Sequence, residues 1–199
     1  MIWYVGYGSN LDRDRFARYL AGGRPPGAAR ATPGARDSSP PLEERAVTLP
    51  GSVFFGHRSL TWGGGVAFLD AEADDAALGR AYLVSDAQFS DIAHQEMHRD
   101  PGEDLDLAAV LRDRRHSYGP GRYETLHLVG ELEGHPMLTF SAAHHSHVEP
   151  HEPAEAYLAM MARGLRQTHG LGPDAVAEYL LARPGIGGWD HEGITSLAA

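Results

Sequence analysis

The chain has 199 residues, 42% of them hydrophobic, and a formal net charge of −10; that length supplies one core, so a single domain over 1–199 is expected. It has neither cysteine nor lysine, which excludes disulfides, thiolate nucleophiles, cysteine metal sites, Schiff-base chemistry and a P-loop lysine. The acidic balance argues against a nucleic-acid partner, no stretch approaches a membrane span, and no signal peptide is evident, so a cytoplasmic protein with no membrane partner is expected.

In chain order, residues 2–5 read as a buried strand, Gly6 to Asn10 as a tight loop, and 11–20 as a helix. Leu11, Phe16, Tyr19 and Leu20 share one side of that helix, with Asn10 as its cap. A glycine loop between strand and helix presents backbone N–H groups at the positive end of a helix dipole, which suits a carboxylate, a phosphate or an oxyanion. The Gly6-Tyr-Gly8 pair also invites a dinucleotide reading, but Leu11 replaces the third glycine and no acid follows about 20 residues on.

Residues 22–46 are rich in Gly, Pro, Ala and Arg and read as a long loop, with Arg36 to Pro41 placed to fold over a pocket or to run along the surface. Short strands are expected at Val47–Leu49, Ser52–Phe55, Val66–Asp70 and Leu78–Val84, and a helix at Ser85–His98. A polar insertion over 99–121 holds a short helix near Leu105–Arg112. Strands at Tyr123–Gly130 and Pro136–Ala142 meet across Glu133-Gly134, and helices follow at Pro153–Thr168 and Pro173–Ala182. Many short strands with mostly terminal helices give a mixed α/β (α+β) class: a small barrel-like mixed sheet with flanking helices.

The Ser85–His98 helix carries the sharpest chemical signal. Ser85 with Gln88 fits a capping box, which fixes its start. At about 100° per residue, Phe89, Ile92, Ala93 and Glu96 form one stripe. A carboxylate on an apolar face must be paired, hydrogen-bonded or protonated, and desolvation of this kind prepares a glutamate for proton exchange near neutral pH. The other reading is a structural glutamate bound to an arginine or to backbone amides.

His94 and His98 have the i, i+4 spacing of a metal pair, on the side away from Glu96. His144, His145, His147 and His151 form a dense run in a loop without a carboxylate spaced to complete a metal motif. Trp62-Gly63-Gly64-Gly65 allows close backbone approach to a ligand, with Trp62 as an apolar wall, or else marks a bulge or bend.

Tyr7-Gly8-Ser9-Asn10-Leu11 after an aromatic strand resembles the signature of the gamma-glutamylcyclotransferase-like family. In order along the chain, Leu60 to Ala67, Gly79 to Val84, Gln95-Glu96, and Tyr157-Leu158 with Gly164-Leu165 resemble further segments of it. The resemblance implies that family's compact barrel-like fold and a metal-free, cofactor-free intramolecular aminolysis of a γ-glutamyl small molecule to 5-oxoproline and a free amine. It implies Glu96 as general acid and base, with the substrate held by Tyr7, Gly8, Ser9, Asn10 and Leu11, by Trp62, Gly63 and Gly64, and by Tyr123. Departures include Gly6 where alanine is common, a longer segment between Glu96 and Tyr123, and Phe140 where a second tyrosine occurs. The leaving amine and the oligomeric state are not legible. Two alternatives stand beside this one: a metal-dependent amide hydrolase using His94/His98 or the 144–151 histidines, and a non-catalytic binding module on the same fold.

Overall fold

The computed structural model describes residues 1–199. Strand β1 (Ile2–Gly6) lies inside a six-stranded sheet with β2 (Glu43–Pro50), β5 (Ala76–Val84), β6 (Arg115–Ser117), β7 (Thr125–Leu132) and β8 (His135–Ser141), in the order β2-β5-β1-β8-β7-β6. β1 runs antiparallel to β5 and parallel to β8, so the sheet is mixed. Strands β3 (Ser52–Arg58) and β4 (Gly65–Asp70) form a separate hairpin. Ser141 of β8 stitches that hairpin to the sheet: its hydroxyl donates to the Leu69 carbonyl at 2.7 Å and accepts from the Leu69 N–H at 3.0 Å.

Alternation along the strands divides the apolar side chains between two cores. Trp3, Val5, Ala81, Leu83 and Met137 face one, which they share with the hairpin and with α4 (Glu155–His169), α5 (Pro173–Leu181) and α6 (His191–Ala198). Ile2, Tyr4, Tyr82, Val84, Leu138 and Phe140 face the other, which is closed by α1 (Arg13–Ala21), α2 (Asp86–Glu96) and α3 (Ala108–Asp113). β1 is buried on both faces, which is why its sequence is an unbroken apolar run.

The structure moves several boundaries. β2 begins at Glu43, four residues before the expected strand, because it is an edge strand whose charged residues pair through backbone with β5 while their side chains stay largely in water. β6 and α6 were not expected. β6 has three residues and no usable period, and α6 contains Gly193 and Thr195, so packing on α4 and α5 rather than propensity forms it. The Glu133-Gly134 turn is as read: both residues have positive φ, 52° and 78°, as a two-residue hairpin of the primed type requires.

Gly64 and Gly65 owe their identity to chain packing. A Cβ on Gly65 would lie 1.9 Å from the His151 carbonyl oxygen, and one on Gly64 would lie 2.4 Å from the Ala154 nitrogen. The Gly65→Ala variant is therefore expected to lose about 2–4 kcal/mol in denaturant unfolding, through overpacking against fixed backbone.

His127 on β7 gives a pH signature. Burial, aided by the Arg115 charge and opposed by Glu72, pushes it from 6.5 down to about 4, and its Nε2 has no partner. The unfolded chain takes up this proton near pH 6.5 and the folded chain only near 4, so stability falls as pH drops through that window. Between pH 7 and 5 the difference is on the order of 2 kcal/mol, read as a drop in unfolding free energy that a His127→Phe variant lacks.

Candidate active site

The turn after β1 is a 3-10 segment, Ser9–Leu11, and not the first turn of the helix. Asp12 caps α1, its carboxylate accepting from the Arg15 N–H at 2.9 Å, so Asn10 is released from the capping role expected of it. The Asn10 amide instead donates to the Tyr4 hydroxyl at 2.7 Å and to Glu96 Oε1 at 3.2 Å. Because a carboxylate accepts only, the NH₂ of Asn10 must be the end facing Glu96. The Asn10 carbonyl accepts from the Tyr82 hydroxyl at 2.8 Å, and Asn10 Oδ1 is buried without a partner.

Glu96 is the last residue of α2. Phe89, Ile92 and Ala93 are fully buried as their stripe requires, while Glu96 is half-buried where the helix runs out beside a cavity of about 440 Å³. Five tyrosines, Tyr4, Tyr7, Tyr19, Tyr123 and Tyr157, line the same cavity. Burial raises the pKa of each, and the charge of Glu96 adds to the shift, so all five stay protonated. They act as hydrogen-bonding walls around a carboxylate and not as bases.

The turn contributes Tyr7, Gly8, Ser9 and Asn10 to the lining. The N–H groups of Leu11 and Asp12 close the turn on the carbonyls of Gly8 and Ser9, at 3.0 and 3.1 Å, while those of Tyr7 and Gly8 have no partner within the chain. Gly8 has no room for a side chain: a Cβ there would lie 2.7 Å from the Tyr157 hydroxyl. That hydroxyl in turn accepts from the Ala67 N–H at 3.0 Å, locking α4 to β4 behind the turn.

Trp62 and Tyr123 also line the cavity. Trp62 stands edge-on to Tyr157 with centroids 5.8 Å apart, and Tyr123 stacks on Phe68 at 4.9 Å while donating to the Ala67 carbonyl at 2.7 Å. Three residues expected at the substrate do not line it. Leu11 is wholly buried in the core under α4, and Gly64 packs on the chain before α4. Gly63 is exposed at the tip of the β3–β4 connection, where its φ of 79° serves the turn.

Arg15 and Tyr19 of α1 were not singled out from the sequence as site residues. They sit one helical turn apart, and the Arg15 guanidinium lies 4.3 Å from the Tyr19 ring centroid and 5.7 Å from that of Trp62. An i, i+4 Arg–Tyr pair just after the glycine turn was the available signal.

The long loop, which ends at 42, is the remaining wall. Gly23 and Thr32 pair through backbone at 3.0 and 2.9 Å, and the Ala29 N–H reaches the Thr61 carbonyl at 2.9 Å. Pro25 and residues 30–33 line the cavity, whereas in the Arg36 to Pro41 stretch, read as folding over a pocket or running along the surface, Arg36 to Ser39 fasten onto α2. Gln88 and Asp91 receive them and Gln95 receives Gly34, so the three side chains form a polar stripe along the helix. Asp91 is 0% exposed and accepts from the Arg36 N–H at 2.8 Å and from its Nε at 3.0 Å. Gln95 donates to the Tyr19 and Asp91 carbonyls at 2.9 and 3.1 Å and accepts from the Gly34 N–H at 3.3 Å.

The histidines are dispersed. α2 ends before His98, which has φ 57°, so His94 and His98 are not successive turns of one helix. His94 meets the Glu103 carbonyl at 3.1 Å, and His98 is exposed on the cavity rim side of the lining. His144 and His145 border a separate small cavity of about 170 Å³, where His145 approaches Asp70 at 3.1 Å. No group of three or more His, Asp or Glu side chains is placed to hold a metal ion.

No protein-family model matches the chain. Among curated proteins, Histone deacetylase 5 of Arabidopsis thaliana is 30% identical over 198 residues, covering 90% of this chain; the chain spans 30% of that protein's length. Among solved structures, the uncharacterized protein loc79017 from Homo sapiens covers 98% of both chains with a TM-score of 0.55 and 18% identity. That human protein has the gamma-glutamylcyclotransferase architecture. This chain has the same fold. A structure named gamma-glutamyl cyclotransferase aligns over 98% of both chains at a TM-score of 0.47 and 15% identity.

In this gamma-glutamylcyclotransferase-like fold the strap from 22 to 42 is fastened to α2 through Gln88, Asp91 and Gln95, and Asp91 is the one buried carboxylate among them. An Asp91→Ala variant leaves the Arg36 and Gly102 N–H groups without their acceptor, while the Arg36 guanidinium keeps Asp104, and is expected to lose about 1–3 kcal/mol in stability. Limited proteolysis should then cut within residues 24–40 before the rest of the chain.

Proposed function

We propose that the chain is a gamma-glutamylcyclotransferase-type enzyme that converts a γ-glutamyl amide to 5-oxoproline and a free amine. The observation that carries this reading is the Asn10–Glu96 contact of 3.2 Å, which joins the glycine turn and the helix-end carboxylate at one cavity. A small carboxylate-bearing ligand closing a ring on itself needs to be folded and relieved of protons, and needs little else.

In this reading the substrate's α-amine attacks its own γ-carbonyl carbon, forming the ring C–N bond, and the bond to the leaving nitrogen breaks. Two protons leave the ammonium nitrogen and both end on the leaving amine, with Glu96 as the carrier. The unpartnered N–H groups of Tyr7 and Gly8 are suited to the oxyanion that forms between the two bond changes. The five protonated tyrosines exclude water and offer hydroxyls without competing for the proton. The cavity wall also carries Arg30 and Arg122 against Asp100, with Arg99 paired to Glu124 at 2.8 Å. That cationic excess favours a leaving amine that bears a carboxylate, such as an amino acid or peptide, over a neutral amine. The deacetylase activity in the Arabidopsis relative's name belongs to a protein of which this chain spans 30%.

The test is 5-oxoproline release from a panel of γ-glutamyl amino acids, γ-glutamyl peptides and neutral γ-glutamyl amines. Glu96→Gln is expected to lower turnover by about 10²–10⁴-fold with its fold intact by circular dichroism. An undiminished Glu96→Gln variant removes Glu96 as the base, and no product from any substrate removes the activity.

A further inference from the structure

Arg15 lines the cavity but has no part in the proton-transfer scheme. The residue is 7% exposed, yet it takes part in no ion pair. Nε and Nη1 are buried without hydrogen-bond partners. The neighbouring carboxylate, Asp12, is spent on capping α1 and on Arg163. Glu96 is held by Asn10. What Arg15 does touch is aromatic: the Tyr19 ring at 4.3 Å and the Trp62 ring at 5.7 Å.

A guanidinium cannot shed its proton, and taking it out of water without a counter-charge costs several kcal/mol per ion by order of magnitude. Ring faces return only about 0.5–2 kcal/mol of that. The rings nevertheless fix the plane of the guanidinium, so its fork is pre-set for a planar, bidentate acceptor. Tyr19 ties this cation to the chemistry, because its hydroxyl lies within the influence of both Arg15 and Glu96.

We infer that Arg15 is the receptor for the α-carboxylate of the ligand, a binding residue that anchors a small amino-acid-like anion beside the glycine turn. The inference rests on the cyclotransferase reading only for the identity of that anion as a γ-glutamyl group. An anchored α-carboxylate leaves the adjacent α-amine free to turn toward Glu96 and its own γ-carbonyl, so Arg15 sets orientation and Glu96 moves protons.

The test is binding, read by titration calorimetry, of 5-oxoproline and of its carboxamide, which has the same shape without the charge. Wild type is expected to prefer the carboxylate by about 10- to 100-fold, the range of a charge-assisted bidentate contact. Arg15→Gln should lose that preference while holding the carboxamide within about twofold of wild type, and Arg15→Lys should recover part of it. Retention of the preference in Arg15→Gln overturns the assignment, as does its absence in wild type or a failure of wild type to bind either probe at millimolar concentration. A separate measurement guards against a purely structural role. Arg15→Met is expected to melt, without ligand, at or above the wild-type temperature, because an unpaired buried charge is gone. A fall of more than about 5 °C overturns the binding role in favour of packing. Loss of 5-oxoproline formation from every substrate, with the carboxylate preference intact and Arg15-dependent, would defeat the cyclotransferase reading alone.

Discussion

Strand β1 is hydrogen-bonded along both edges, to β5 and β8, and its side chains are buried on both faces. A strand held in this way cannot shift by one residue without exchanging its two apolar sets. Its end is therefore a fixed point, and the turn that follows leaves the sheet at one place and in one direction. The turn delivers Tyr7 to Asn10 to the cavity, and the same sheet face that carries Tyr4 packs against Phe89 of α2. Glu96 and Asn10 meet because both are referred to this one strand.

The second feature is a division of labour along α2. One stripe, Phe89, Ile92 and Ala93, is spent on the core, and a second, Gln88, Asp91 and Gln95, on the strap. With both faces committed, the rotation of the helix about its axis is set, and Glu96 is aimed where the helix stops. Buried ionic contacts such as that of Asp91 contribute little net stability, but they specify one arrangement of groups that would otherwise slide. Here the arrangement specified is a wall of the cavity.

The cavity itself departs from ordinary packing rules. Asn10 Oδ1 and two nitrogens of Arg15 are buried and unmet, and an aromatic cage surrounds a carboxylate. A protein interior usually satisfies such groups, and places where local rules fail are where function is expected. Outside the cavity single unmet atoms remain on Arg80, His94, Thr125 and His127, while the strand patterns, the Ser85–Gln88 capping box and the Glu133-Gly134 turn agree with the elements they belong to.

Local signals made much of this legible. The apolar run of β1, the Ser85–Gln88 capping box, the primed turn at Glu133-Gly134 and the Phe89–Ile92–Ala93 stripe depend on residues within one turn or one strand, and they stand in the structure as read. The sequence also fixed attention on the turn and on Glu96 as residues out of keeping with a plain fold. Other assignments needed distance in sequence to be known. Asn10 exchanged a capping role for a contact 86 residues away. Gly64 and Gly65, open to a ligand-facing or a bend reading, proved packed because residues 151–154 lie against them, and Arg15 became notable only when its guanidinium proved to pair with no carboxylate. What the chain determined by itself was periodicity, caps and turns, which are short-range. What the tertiary structure decided was which polar groups found partners, since that depends on what the fold brings alongside them.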